Sequence, residues 1–248
     1  NVMVGDPAAL MFATAQAFGV QGFDQAEALR LMLKNAREAL TSTNPSPTAG
    51  YVPRPGLTEY RTLGYIPYER NVPYGGAGAI SPSLVWGTAS TTLEYALADF
   101  AIGRFAARRC QGLSARDVSQ RSSHWRHLLN TATGYLQPRL AAGLFVPGYD
   151  PASDLGYVEG SGAQYSWLVP QDVAGLIEAR GGRESARALL DAHYADLNAG
   201  PQSAQAFLGN EPGLSTPWLY LWLGAPWRTQ EIVTTALTTL YAPTPEGL

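Results

Sequence analysis

Pro170-Gln-Asp-Val-Ala-Gly-Leu-Ile-Glu-Ala-Arg-Gly-Gly-Arg-Glu-Ser-Ala-Arg-Ala-Leu-Leu190 reads as two helices with a glycine pair between them. Pro170 and Asp172 supply a first-turn proline and an N-terminal acceptor, Gly181-Gly182 stops the first helix, and Glu184 starts a second that runs to Leu197. The same alternation extends outward in both directions. Upstream, Asp6-Pro7 caps an apolar run through Phe18, which Gly19 stops, and Asp24 opens an amphipathic run to Leu40 that contains Ala28, Leu29, Leu33 and Ala36. Those two runs predict an antiparallel pair. Ser90 starts a helix through Arg109, with Cys110 at its end, and Ser114 with Asp117 has the capping-box form that predicts a helix to about Asn130. Downstream, Thr216-Pro217 and Pro226 begin the last two helices, the final one ending near Tyr241. Consecutive helix pairs joined by long aromatic connections predict an all-α chain that forms part of an (α/α)6 toroid.

The connections are long and rich in helix breakers. Residues 41–83 carry seven prolines and six glycines with scattered tyrosines, so a long functional loop is expected there, broken by a helical turn or two near Leu57 to Arg61. Short extended pieces and turns are expected from Gly134 to Trp167. With 248 residues, 46% hydrophobic and 15% charged, the chain can bury a substantial core and is too apolar to be disordered. Its net charge of -3, with no Lys/Arg run longer than Arg108-Arg109, lacks the electrostatic footprint of a nucleic-acid or anionic-membrane binder. The single cysteine excludes an internal disulfide framework and a Cys-rich zinc site. No apolar run reaches the roughly 18 residues of a membrane span.

The residues that carry chemistry are two glutamates in glycine-containing turns among Trp and Tyr: Glu159 in Tyr-Val-Glu-Gly-Ser-Gly-Ala-Gln-Tyr and Glu211 in Gly-Asn-Glu-Pro. A carboxyl pair commonly cleaves glycosidic bonds, one acting as acid and the other activating water or attacking directly, while aromatic faces stack on sugar rings. As isolated residues they read otherwise: a loop glutamate is a solvated carboxylate, and Asn-Glu-Pro before a helix is a cap and lead-in turn. Glu94 and Asp99 read equally as structural partners of buried arginines such as Arg104 or Arg121 and as substrate contacts, and are left out of the catalytic set. His124 and His127, three residues apart, have no evident acidic partner and read as packing or surface residues. His193 reads as surface. Trp167, Trp218, Trp222 and Trp227 lie near helix starts, and the spacing Trp218-Trp222-Ala225 reads as packing.

An ordered set of short motifs is similar to that of glycoside hydrolase family 92, nearly end to end. It comprises Ser90-Thr-Thr-Leu-Glu-Tyr-Ala96 with Asp99, Arg121-Ser122, Pro138-Arg139, Tyr149-Asp-Pro151, the Glu159 segment, Val169-Pro-Gln-Asp-Val173 with Gly175-Leu176, Gly209-Asn-Glu-Pro212 and Pro226-Trp-Arg-Thr-Gln230. The resemblance implies a calcium-dependent, inverting exo-α-mannosidase with a β-sandwich ahead of an (α/α)6 catalytic barrel. On that alignment residues 1–248 are the central part of the catalytic domain, with the sandwich and the first and last helices elsewhere in the parent protein. The remaining polypeptide, or a companion fragment, is then an expected partner. It also implies a mannose-containing glycan as substrate, a secreted or periplasmic location, and no role for nucleic acid or membrane.

By that resemblance Glu159 is the general acid, and the base aspartate lies beyond Leu248. Asn210 and Glu211 become calcium ligands, an amide oxygen and a carboxylate of the hard type Ca2+ prefers. Gln164, Gln171 and Asp172 become substrate-binding residues. An inverting pair stands about 6.5–9.5 Å apart across the sugar, so this chain alone is expected to lack half of it. The sequence departs from the family pattern where Gln171 replaces a common His, where Ser161-Gly162-Ala163 replaces Asn-Ala-Trp, and where no histidine follows Asn-Glu-Pro. Two alternatives follow: hydrolysis of mannose-α-1-phospho-6-mannose linkages, and a non-catalytic or sugar-binding remnant. The retained Glu159 favours ordinary glycosides, because a phosphate leaving group departs without an acid and is repelled by a nearby carboxylate.

Overall fold

The computed structural model describes residues 5–39, 52–73 and 83–244. The chain divides into two compact units, one made of Asn1–Leu129, Leu136–Gly148 and Leu155–Val158, the other of Asn130–Tyr135, Tyr149–Asp154 and Glu159–Leu248. Helix dominates both, as the breaker pattern requires.

The first unit contains α1 (Pro7–Ala17), α2 (Gln25–Arg37), α3 (Leu57–Leu63), α4 (Thr88–Arg108) and α5 (Arg116–Gln120), with a parallel pair of two-residue strands, β1 (Asn71–Val72) and β2 (Val85–Trp86). Helix α4 buries Ala89, Leu93, Tyr95, Ala96, Ala98, Ile102 and Phe105, apolar on several sides as a helix enclosed by neighbours must be. Around its C-terminal half, Ala9 of α1, Leu29 and Met32 of α2 and Val118 of α5 close one core with Ala98, Ile102 and Phe105. Around its N-terminal half, Leu57 and Tyr60 of α3 with Ile66, Val85 and Tyr95 form another. Each large side chain buried this way contributes about 1.5–3 kcal/mol.

Between these cores lies a buried ionic chain. Arg54 Nε meets Asp6 Oδ2 at 2.9 Å and its Nη1 meets Asp99 Oδ1 at 2.7 Å, while Arg121 Nε meets Asp99 Oδ2 at 2.9 Å. Arg121 Nη2 also donates to the Ala36 carbonyl at 2.9 Å. Burial alone would push the Arg54 pKa down, but Asp99 and Asp6 more than offset it and hold the guanidinium above its usual range. Asp99 is therefore a structural partner of Arg121, one of the two arginines named from sequence, and of Arg54 as well.

Local chemistry and tertiary demand compete for the same carboxylates. Asp24 caps α2 as read, accepting from Ala26 N at 2.9 Å and Glu27 N at 3.0 Å. Asp6 does not cap α1 through its side chain, because Arg54 takes it. The capping box expected at Ser114 and Asp117 is also absent: Asp117 pairs with Arg37 and Ser114 Oγ donates to Gln111 O at 2.7 Å. In place of one helix to Asn130 the chain forms a 3-10 turn (Gly112–Ala115), α5, and a 3-10 helix over Arg121–His127. In that last element His124 packs on Tyr60 at 4.9 Å and on His127 at 5.4 Å, and burial pushes its pKa down to about 4. Much of the long connection expected at 41–83 lies outside the described residues; α3 occupies the position foreseen for a helical turn.

The second unit contains α6 (Gly162–Tyr165), α7 (Val173–Ala179), α8 (Arg183–His193), α9 (Glu211–Ser215), α10 (Leu219–Trp222) and α11 (Pro226–Thr239). A 3-10 turn over Pro170–Asp172 precedes α7, and Asp172 Oδ1 accepts from Gly175 N at 3.0 Å, so the start and the stop read from sequence both hold. Helix α7 packs on α8 and α10, and α10 on α11. Leu176, Leu190, Tyr220, Ala225 and Ile232 fill the interior. Tyr220 Oη donates to Asp191 Oδ1 at 2.7 Å and Thr229 Oγ1 to Pro217 O at 2.8 Å. Trp167 is buried, whereas Trp218 and Trp222 are 52% and 54% exposed, so the packing role read from their spacing does not hold among the described residues. His193 is buried, not on the surface. Among the described residues no helix is long and apolar enough to cross a membrane.

Candidate active site

The Glu159 turn is built by the residues that flank it. Asp150 Oδ1 accepts from Ala152 N at 2.9 Å, and this turn then receives Gly162 N on Ser153 O at 3.0 Å and Ala163 N on Pro151 O at 2.8 Å. Ser161 ends the segment as the N-cap of α6. Its Oγ accepts from Gln164 N at 3.3 Å while Gln164 Oε1 accepts from Ser161 N at 3.1 Å, a reciprocal capping box. The signature Ser161-Gly-Ala-Gln164 stands in the sequence, and reading the segment as extended pieces overlooked it.

Glu159 itself adopts φ +55, a left-handed conformation that non-glycine residues seldom take. Such a residue costs on the order of 1–2 kcal/mol and persists where its surroundings hold it. The holding group is Asn210, whose Nδ2 donates to the Glu159 carbonyl at 3.0 Å. Gly160 makes this approach possible: a Cβ there would stand 3.0 Å from Gln164 Oε1 and 3.2 Å from both Asn210 Nδ2 and Tyr165 Cε2. The Glu159 side chain is exposed and Asn210 is buried.

Asn210 and Glu211 lead into α9, which packs on α6. Two segments about fifty residues apart thus meet, one bearing Glu159 and the other Glu211, which is exposed at the first position of its helix. With Nδ2 turned to the Glu159 carbonyl, Asn210 has Oδ1 as its acceptor. Ca2+ takes about 6–8 oxygen ligands, and the Asn210 oxygen with the Glu211 carboxylate fits as a portion of such a shell. Among the described residues no group of three or more His, Cys, Asp or Glu side chains is clustered to hold a metal, so further ligands would be backbone carbonyls, water, substrate hydroxyls or groups elsewhere in the polypeptide.

Of the other three residues expected to touch substrate, Gln164 and Asp172 have structural work in this geometry. Gln164 Nε2 donates to Gly200 O at 2.9 Å, Ser203 O at 3.2 Å and Gln205 O at 2.9 Å, and Ser161 Oγ donates to Ser203 O at 2.6 Å. The Gln164 amide therefore fastens the 200–205 loop beneath the Glu159 turn. Asp172 caps α7 and Gln171 is half-buried beside it in the same 3-10 turn. The family departures at 161–163 lie in the interior of this turn. Ser161 and Ala163 are buried, and a Cβ on Gly162 would come within 2.4 Å of Tyr149 Oη. These residues shape the support of the turn rather than its exposed side.

The profile of the glycosyl hydrolase family 92 catalytic domain matches residues 1–248. An uncharacterized secreted glycosidase of Arthroderma benhamiae is 28% identical over 199 residues, covering 70% of this chain and 24% of that protein. A family GH92 alpha-mannosidase of Bacteroides thetaiotaomicron superposes with a TM-score of 0.79 at 27% identity, covering 99% of this chain and 30% of that one. Its complex with mannoimidazole gives 0.77 at 26% identity, covering 99% and 31%. A family GH92 inverting mannosidase of the same organism gives 0.78 at 27% identity, covering 96% and 32%. The chain thus spans about a quarter to a third of the relatives it matches. The helical, toroid-type fold expected from sequence is the fold of these neighbours, and the chain belongs to glycosyl hydrolase family 92 as a portion of its catalytic domain.

Proposed function

We propose that the protein carrying this chain is a glycoside hydrolase that removes terminal α-linked mannose from glycans with inversion, outside the cytoplasm, and that Glu159 is its general acid. The observation that carries this reading is the Asn210 to Glu159 hydrogen bond, which joins the two carboxylate-bearing turns within a family 92 domain. The named activities of the structural neighbours, and the secreted relative, support the substrate class and the location.

In this reading the exposed Glu159 carboxyl protonates the leaving glycosidic oxygen. Its left-handed backbone, pinned by Asn210 and backed by Gly160 and the α6 capping box, fixes where that proton is delivered. Gln164 keeps the 200–205 loop in place under it, and Gln171 and Asp172 are assigned to substrate binding on the family resemblance alone. A base from outside these 248 residues deprotonates the attacking water. Asn210 Oδ1 and the Glu211 carboxylate hold part of a calcium shell, and the bound ion supplies positional and electrostatic assistance at the sugar hydroxyls.

The test is release of mannose from α-1,2-mannobiose and from a mannose-α-1-phospho-6-mannose glycan by the complete polypeptide, with calcium or with excess chelator. Calcium-dependent release from the first is expected. Release only from the second transfers the reading to the phosphodiester, undiminished release in chelator removes the calcium assignment, and no release from either makes this a sugar-binding or inactive relative.

A further inference from the structure

Behind the 200–205 loop, wholly within the second unit, lies a cavity of about 190 Å³. Its walls include Tyr135, Trp167, Leu189, His193 and Gln205, and the exposed Ala192 stands at its mouth. A cavity of roughly 150 Å³ admits a six-membered carbon ring, so this one is ring-sized with room for substituents. Arg180 forms its back. The guanidinium lies 3.8 Å from the Trp167 ring centroid, with Nε donating to Gly134 O at 3.1 Å and Nη2 to Ser166 O at 2.7 Å. Its Nη1 is sealed from solvent, so the cation supports the wall without meeting an occupant.

Three other polar groups of the walls are open. His193 Nδ1 lies 3.2 Å from Ala204 O; a carbonyl only accepts, so Nδ1 carries the hydrogen and Nε2 keeps a lone pair. Burial pushes the pKa of this ring down to about 4, which leaves it neutral at neutral pH. Ser203 Oγ donates to Gln205 Oε1 at 2.7 Å, and the Gln205 Nε2 keeps both of its hydrogens. Tyr135 packs its ring against Tyr149 at 5.9 Å between centroids. Its hydroxyl, like His193 Nε2 and Gln205 Nε2, has no hydrogen-bond partner among the described residues, and none of the three is sealed as Arg180 Nη1 is. No Asp or Glu lines the cavity.

The walls thus offer one acceptor, one donor and one hydroxyl that does both, set among aromatic and aliphatic surface. A charged ligand would find no counter-ion it can touch, and an apolar one would leave these groups unpaired. A ring hydroxyl both donates and accepts, and the C–H faces of a saturated ring pack on aromatic side chains. We infer that this cavity binds a neutral ring polyol, a monosaccharide in its pyranose form, through His193 Nε2, Gln205 Nε2 and Tyr135 Oη. The site is separate from the Glu159 turn, and the inference does not depend on the glycosidase reading.

The experiment is isothermal titration of the complete polypeptide with D-mannose, D-glucose and myo-inositol, in excess chelator so that sugar held through calcium at the Glu159 site does not contribute. Saturable binding of at least one of them is expected, with a Kd of about 1–10 mM for a ligand of this size. Tyr135→Phe keeps the ring and removes only the hydroxyl, and should weaken that binding about fivefold. Ala192→Trp, placed at the exposed mouth, should abolish it. Each variant is compared at an unchanged Tm, and a loss in either one sustains the site if the other does not fold. No saturable binding of any of the three, or binding unaltered in both variants, overturns the proposal; mannose release, measured separately, reports on Glu159 alone.

Discussion

Asn210 Nδ2 donates to the main-chain carbonyl of Glu159 at 3.0 Å, across 51 residues of sequence. The bond falls on a residue with φ +55 whose side chain is exposed, so a buried amide holds a strained turn in place while leaving the carboxyl accessible.

Replacing the donor should separate positioning from metal binding. Asn210→Asp keeps an oxygen ligand but faces the Glu159 carbonyl with an acceptor, whereas Asn210→Ala removes both. Turnover should fall on the order of tenfold or more in each, with calcium affinity retained in Asn210→Asp only. Steady-state kinetics with calcium titration checks this, and full activity in Asn210→Asp would remove the positioning role.

Glu159→Gln should lower turnover of poorly activated mannosides by about 10²–10⁴-fold while sparing aryl mannosides with acidic leaving groups, because protonation matters less for them. Equal losses on both substrate types would show that Glu159 is not the acid.

Glu159→Gly should abolish that chemistry and yet stabilise the fold by about 1 kcal/mol, since glycine adopts the left-handed region without a Cβ penalty. Denaturant unfolding measures it. An unchanged or lower midpoint would mean that the turn is not strained by its side chain.

Buried neutral histidines predict acid sensitivity. His193 and His124 each have a pKa lowered by burial to about 4 from the ordinary 6.5. The unfolded chain therefore binds protons that the folded chain refuses, so the stability these residues contribute is complete above pH 6.5 and is lost as pH falls toward 4. For His193 the loss is on the order of 3 kcal/mol. His193→Asn, which can still donate to the Ala204 carbonyl, should flatten the Tm profile between those pH values; a profile identical to the parent protein would refute the assignment.

Arg54→Met should be among the most damaging substitutions outside the site. It leaves Asp6 without its arginine and removes one of the two arginine partners of Asp99, which is fully buried, at a cost of about 3–5 kcal/mol. Loss of soluble expression or a large drop in unfolding midpoint is expected, and a near-neutral effect would show that the acids are compensated from elsewhere.

How much of this was legible in advance depended on the range of the interaction. Helix starts and stops at Asp24, Asp172, Gly181 and Pro226 are decided within a few residues, and each occurs where the sequence places it. The same logic failed at Asp6 and Asp117, where arginines far along the chain take the carboxylates. The Ser161 to Gln164 capping box was a local signal hidden by its glycine-rich surroundings.

The sequence by itself determined the helical periodicity, the family motif order and the identity of Glu159 and Glu211, because these depend on residue type and near neighbours. Tertiary structure alone decided that Asn210 would grip the Glu159 turn, that Gln164 would fasten a loop, and that Arg180 and His193 would be buried together. Hydrogen bonds and burial link residues distant in sequence, and a side chain's chemistry states what it can bind without stating which partner the fold will bring to it.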